Sequence, residues 1–300
     1  MNAVVFPGQG AQYAGMGKTL YDNFSQARDM FQAVDQAAGF SLSRMCFEGP
    51  EQDLKNTRIQ QLAILAVSLA CYQCLPVKTK ESIAFFSGLS LGEYPCLYCA
   101  GVLALEDVVA LVKERAEAME EAAALNPSTM FAVLGKGEGK LPDLQSLGFY
   151  VANMNCPGQT VVSLAKENKE AVRTGLVSAG FKVIELKVSG GFHSPFMEPA
   201  RKRLEKMIDG IEFKDADIPI VSNVTAKGHL SSAEIRENLL NQLISPVLWQ
   251  ECVEFMIGQG VGRFLETGPK QVLKGLIKKI SRSVAVTNFE KYDDYQDNGL

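Results

Sequence analysis

Histidine is scarce in this sequence: His193 and His229 are the only two in 300 residues. Any chemistry that needs an imidazole base therefore has two candidates. Basic charge is not in excess. The formal net charge is -4, and lysines and glutamates are interspersed rather than blocked. This excludes the positive footprint of a surface for nucleic acid or anionic membranes and leaves an ordinary solvated exterior. No apolar run approaches the length of a membrane span. Internal repeats and low-complexity tracts are also missing. Met1-Asn2-Ala3 leads directly into a strand-like "VVF" without the basic and apolar segments of a secretion signal, so a cytoplasmic location is expected.

Hydrophobic residues make up 47% of the chain and charged ones 21%, ordinary values for a protein that buries a sizeable core. The length suits one large domain, or a domain with a smaller one inserted. The seven cysteines are an odd number, which argues against a disulfide framework. "CYQC" (Cys71, Cys74) and "CLYC" (Cys96, Cys99) superficially resemble a zinc ribbon. Zinc knuckles sit in tight turns where four thiolates converge. Here both pairs fall at helical spacing in apolar runs, so buried thiols behaving as small hydrophobes are expected and no metal.

Strands and helices alternate. "NAVVF" reads as a strand and residues 17–39 as a helix. "TRIQQLAILAVSLACYQCL" is a long helix and "SIAFFSG" a strand. Another helix opens at Ser90, and residues 105–125 form an amphipathic helix with acidic residues near its start. From residue 127 the order changes to β-α-β-β-α-β, with "KLPDLQSLG" as the first helix; that is the ferredoxin-like signature. Alternation resumes with "IPIVSNVT", helices over 231–260, "RFLET", "QVLKGLIKKI" and "SVAVTNF". The expected fold is an α/β core with a parallel sheet, residues 1–126 and 194–300, interrupted by a small ferredoxin-like domain over 127–193. The polar tail "EKYDDYQDNGL" is expected to fray.

The loop "GQGAQYAGMGKT" fails as a P-loop because Gln12 stands where glycine is needed, and fails as a dinucleotide fingerprint because of Tyr13. Its glycines still allow backbone N–H groups to approach a ligand. "GLSLG" places Ser90 in G-x-S-x-G, between an apolar strand and a helix. This is the setting of a nucleophile elbow, though a Gly-rich turn with a capping serine has the same letters. A serine nucleophile needs a base. His229 lies in a polar turn and reads as a surface residue. His193, in "SGGFHSPFM", lies at the junction of the two expected domains, where a cleft belongs. No acidic third member is evident, and a carbonyl can orient an imidazole instead. Arg115 shares the inward face of its helix with Val108, Leu111, Val112, Ala118 and Met119. A buried guanidinium needs an anion, either an internal carboxylate or one on a substrate.

Together these motifs resemble the malonyl-CoA:acyl carrier protein transacylase family, including the free-standing acyltransferases of polyketide synthases. The resemblance runs from "VVFPGQGAQYAGMG" through "GLSLGEY", "NMNCPGQTVVS", "GGFHSPFM", "VSNVTA" and "NQLISPVLW" to "FLETGPKQVLKGLIKKI". It implies an α/β-hydrolase-like core and malonyl transfer from malonyl-CoA to the phosphopantetheine thiol of an acyl carrier protein, with no cofactor. It implies Ser90 as nucleophile, His193 as base and the Gln242 main-chain carbonyl as orienter. The backbone N–H groups of Gln12 and Leu91 would form the oxyanion hole, and Arg115 would pair with the malonyl carboxylate. Gln60 and Asn155 would line the site, and Phe192 would crowd an α-methyl branch. Leu89 is familiar in the polyketide-associated branch, and Gln61 stands where a proline is usual. The partners implied are malonyl-CoA and a carrier protein, with the enzyme a monomer. A hydrolase of carrier-bound acyl groups is the alternative on the same scaffold.

Overall fold

The computed structural model describes residues 1–135, 141 and 144–298. Strand β1 (Asn2–Phe6) is followed by α1 (Lys18–Asn23), α2 (Ser25–Ala38), α3 (Leu42–Glu48), α4 (Thr57–Gln73) and α5 (Val77–Lys80). Then come β2 (Ile83–Gly88), α6 (Glu93–Cys99) and α7 (Leu105–Leu125). A separate block holds β3 (Ser128–Leu134), α8 (Leu144–Leu147), β4 (Phe149–Cys156), β5 (Gln159–Ala165), α9 (Lys169–Ser178) and β6 (Lys182–Glu185). The chain continues through α10 (Glu198–Ile208), β7 (Ile220–Val221), β8 (Gly228–His229), α11 (Ser232–Gln242) and α12 (Trp249–Gly258). It closes with β9 (Arg263–Thr267), α13 (Val272–Ile280), β10 (Ala285–Phe289) and α14 (Tyr292–Asp297).

The larger sheet has the order β10-β9-β1-β2-β7-β8. All its pairings are parallel except β7 with β8 at the edge, which is antiparallel. Its central strand β1 reads as an unbroken apolar run because both faces are covered, as parallel sheets require. Helix α4 starts where the Asn56 side chain accepts the Arg58 and Ile59 N–H groups, and it is buried almost all round from Leu62 to Tyr72. The smaller sheet is antiparallel, with the order β4-β5-β3-β6, the ferredoxin-like arrangement. Of the helix expected in "KLPDLQSLG", residues 144–147 are helical, while residues 140, 142 and 143 lie outside the described residues. Strand β4 joins the smaller sheet to the larger unit, since Met154 N–H donates to Val247 O at 2.9 Å and Val247 N–H to Ala152 O at 2.8 Å.

Three local expectations are corrected. The single helix over 17–39 is two, because Phe24 is extended and turns its ring onto Tyr292 and Tyr295, at centroid distances of 5.4 and 5.3 Å. The tail does not fray over residues 290–298, its last two residues lying outside the described ones. Tyr295 is fully buried and donates to Cys71 O at 2.5 Å, so the aromatic face of α14 holds a segment whose composition is polar. His229 is not a loose surface residue. It sits on edge strand β8 with its ring on Thr225 Oγ1 at 2.7 Å and Glu234 at 3.3 Å.

No helix among the described residues is long and apolar enough to cross a membrane. All seven cysteines are free thiols, and all but Cys99 are buried. Burial pushes each thiol pKa up, which suppresses the reactive thiolate. Ellman's reagent at about pH 8 should therefore react within minutes with Cys99 at most, and with every thiol after denaturation. Rapid reaction of two or more thiols in the native protein would contradict this packing.

Candidate active site

The carboxyl end of β2 runs into a tight turn at Ser90, whose φ is +54°. Such a backbone is strained for any residue with a Cβ, and it lifts the side chain clear of the sheet. The turn closes because Gly92 has no side chain: a Cβ there would lie 2.1 Å from Phe6 O. Helix α6 follows at once, so the hydroxyl sits by a helix N-terminus. Asn223, just past β7, pins the turn from the other side. Its Oδ1 accepts the Ser90 N–H at 2.7 Å and its Nδ2 donates to Gly88 O at 2.8 Å.

Ser90 Oγ lies 2.8 Å from His193 Nε2, and His193 Nδ1 lies 2.8 Å from Gln242 O. A carbonyl only accepts, so Nδ1 carries the hydrogen and Nε2 presents its lone pair to the serine O–H. Gln242 is the last residue of α11, where main-chain carbonyls have no partner within the helix. That free carbonyl takes the place a carboxylate fills in a triad. Burial and then the Arg115 charge pull the His193 pKa down to about 4, against the raising pull of the Gln242 and Ser245 main-chain acceptors. The imidazole is therefore neutral at physiological pH.

Arg115 is fully buried on the inner face of α7. Its Nη2 donates to Ser90 Oγ at 2.9 Å and its Nη1 to Gln61 Oε1 at 2.6 Å. The guanidinium lies over the Tyr94 ring, 5.2 Å from its centroid, while Nε meets no partner among the described residues. Burial pulls its pKa down, opposed by Tyr94 and Glu93. The internal ion pair left open by the sequence does not form: no carboxylate bonds Arg115 among the described residues. Ser90 and His193 are 8% and 6% exposed. The imidazole borders a cleft of about 780 Å³ lined by Tyr150, Val151, Phe196, Ile244 and Pro246.

A protein-family profile described as acyl transferase domain matches residues 3–293. The chain belongs to the acyl transferase family. A curated relative named malonyl CoA-acyl carrier protein transacylase, from Bacillus subtilis (strain 168), is 39% identical over 96% of this chain and 94% of its own length. The Vibrio cholerae acyl carrier protein S-malonyltransferase structure matches with a TM-score of 0.92 at 32% identity, covering 99% of each chain. A solved complex of a type II PKS acyl-carrier protein with its malonyl-transacylase matches at 0.90 and 34% identity, covering 98% of this chain and 97% of that chain.

In this acyl transferase the structure brings Ser90, His193, Gln242 and Arg115 together. Leu91 follows Ser90 and is buried. Gln12 lies in a loop that abuts the turn, since a Cβ on Gly8 would come 2.5 Å from Leu89 O, and its side chain accepts the Gly10 N–H at 3.0 Å. Phe192 is buried, with its carbonyl accepting from Ser163 Oγ at 2.6 Å. Asn155 is buried on β4, and its Oδ1 finds no partner among the described residues. Gln60 bonds Gln9 at 3.0 Å, and its neighbour Gln61 meets Arg115. One residue along a helix is a turn of about 100°, enough to part their directions. Gln61, Asn223 and Glu93 are the site residues that sequence reasoning missed. Gln61 was detectable as a polar residue on the buried face of α4; the other two act across large sequence separations.

The ring C–H signals of His193, followed by NMR in the folded acyl transferase, should keep their neutral positions from pH 8 down to about 5 and move only through about pH 4. A midpoint near the ordinary 6.5 would contradict the buried, Arg115-facing geometry.

Proposed function

We propose that this chain is a malonyl-CoA:acyl carrier protein S-malonyltransferase working through a malonyl-serine intermediate. The observation that carries the reading is the Arg115 guanidinium, buried with no carboxylate bonded to it among the described residues and 2.9 Å from Ser90 Oγ. In a malonyl thioester the free carboxylate carbon lies about 2.5 Å from the thioester carbonyl carbon, two C–C bonds away. A cation beside the nucleophile matches that spacing, and its planar fork suits a carboxylate.

His193 Nε2 takes the Ser90 proton as Oγ attacks the thioester carbonyl, and the backbone N–H groups of Leu91 and Gln12 hold the tetrahedral oxyanion. Collapse breaks the C–S bond, and His193 returns the proton to the coenzyme A sulfur. The phosphopantetheine thiol of the carrier protein then gives its proton to His193 and attacks the malonyl-serine ester. Collapse breaks the C–Oγ bond, His193 returns the proton to Ser90 Oγ, and the malonyl group leaves as the carrier thioester. Every chemical role belongs to the chain itself, so no cofactor is needed. Asn155 offers a buried acceptor to substrate, and Gln60, through Gln9, supports the loop that carries Gln12. Phe192 narrows the space beside the α-carbon, where one methyl is worth about 1–3 kcal/mol. Residues 127–193 act as the smaller domain that closes the site over the larger one. Leu89, with the relative solved on a type II PKS carrier, supports a polyketide carrier protein as acceptor.

Malonyl-CoA should add one malonyl group to Ser90, detectable by peptide mass spectrometry, and none to Ser90→Ala. A chase with holo carrier protein should discharge the labelled enzyme at least about 100-fold faster than buffer does, since each 1.4 kcal/mol is tenfold in rate. Equal loss to free malonate with and without the carrier would make the enzyme a hydrolase.

A further inference from the structure

Glu93 has no part in the chemistry above, yet it is 4% exposed and touches both residues that hold the reacting pair. Its Oε1 accepts the Asn223 N–H and its Oε2 accepts the Gln242 side-chain amide. Asn223 is the residue that pins the Ser90 turn, through Ser90 N–H and Gly88 O. Gln242 presents its main-chain carbonyl to His193 Nδ1, and its side-chain Nε2 also reaches Ser90 O at 3.1 Å. One buried carboxylate at the first turn of α6 therefore joins the nucleophile's turn to the base's orienter.

We propose that Glu93 is a positioning residue that sets the Ser90–His193 geometry through Asn223 and Gln242 and never meets substrate. The inference rests on the reading of Ser90 as nucleophile and His193 as its base. Both contacts need an oxygen that only accepts, and a carboxylate supplies two. Glutamine at this position keeps the shape and replaces one acceptor with a donor. That donor then faces either the Asn223 N–H or the Gln242 amide, and the contact is lost unless Gln242 flips, which sets its Oε1 against Ser90 O. Either way one arm of the link between the Ser90 turn and the end of α11 is broken. Supporting groups of this kind typically cost about 10–100-fold in activity when removed.

The test compares wild type, Glu93→Gln, Gln242→Met and the double variant. Gln242→Met removes the side-chain amide and keeps the main-chain carbonyl. Single-turnover release of coenzyme A from malonyl-CoA should slow about 10–100-fold in Glu93→Gln, while the malonyl-CoA concentration for half-saturation stays within about threefold. The double variant should be no more than about threefold slower than the slower single, because both changes cut one path. The His193 Nδ1 proton signal should shift or broaden in Glu93→Gln. An unchanged rate with an unchanged Nδ1 signal, or fully multiplicative losses in the double variant, would overturn the proposal. If wild-type Ser90 takes no malonyl label, the nucleophile assignment falls instead, and the Nδ1 signal still decides whether Glu93 positions His193.

Discussion

A guanidinium held in the protein interior with no carboxylate bonded to it among the described residues is the constraint on which this structure turns. Taking such a charge out of water costs several kcal/mol. The fold offsets part of that with the Gln61 carbonyl, the face of Tyr94 and the Ser90 hydroxyl. Helix α7, which carries Arg115, packs against α2, α4 and α10. Its outer face bonds Arg203 through Glu114, Glu117 and Glu121, and Arg58 through Glu117. Each half-exposed pair contributes little alone. As a set they fix which way the helix faces, so that Arg115 points at Ser90.

A main-chain carbonyl, and not a carboxylate, orients His193. The end of α11 supplies an acceptor with only a partial negative charge. Glu93 is a buried carboxylate beside the site, and both its oxygens are taken by Asn223 and Gln242. Burial pushes its pKa up, while the Asn223 and Gln242 donors and then Arg115 pull it back toward the ionised form that both contacts require. Arg115 also helps keep His193 neutral and ready to accept a proton. Under the proposed function, selection of an anionic acyl group and a neutral His193 are two effects of one cation.

Much of this was readable in the sequence where the signal is local or periodic. Ser90 stood out through its strand–turn–helix setting, Arg115 through helical spacing, and His193 because only one other histidine exists. The two-sheet architecture followed from the change in element order near residue 127. What escaped was tertiary. Asn223 and Glu93 lie 130 residues apart, and no local pattern announces that they bond each other across the Ser90 turn. Gln60 and Gln61 are adjacent and chemically alike, so only the rotation of α4 separates the one that meets Arg115. The tail misled because its polar residues outnumber the tyrosines, whereas Tyr292 and the buried Tyr295, both packed on Phe24, hold its helix in place.

The central claim is that Arg115 makes the site selective for an anionic acyl group. It is tested most directly by the second-order rate of Ser90 acylation with malonyl-CoA and with acetyl-CoA, in wild type and Arg115→Ala. The account predicts a strong wild-type preference for malonyl-CoA that falls by about 100-fold or more in the variant through loss of the malonyl rate, the scale set by breaking a buried charge pair. A wild-type enzyme that takes acetyl and malonyl groups equally, or a preference that survives the loss of Arg115, would contradict it.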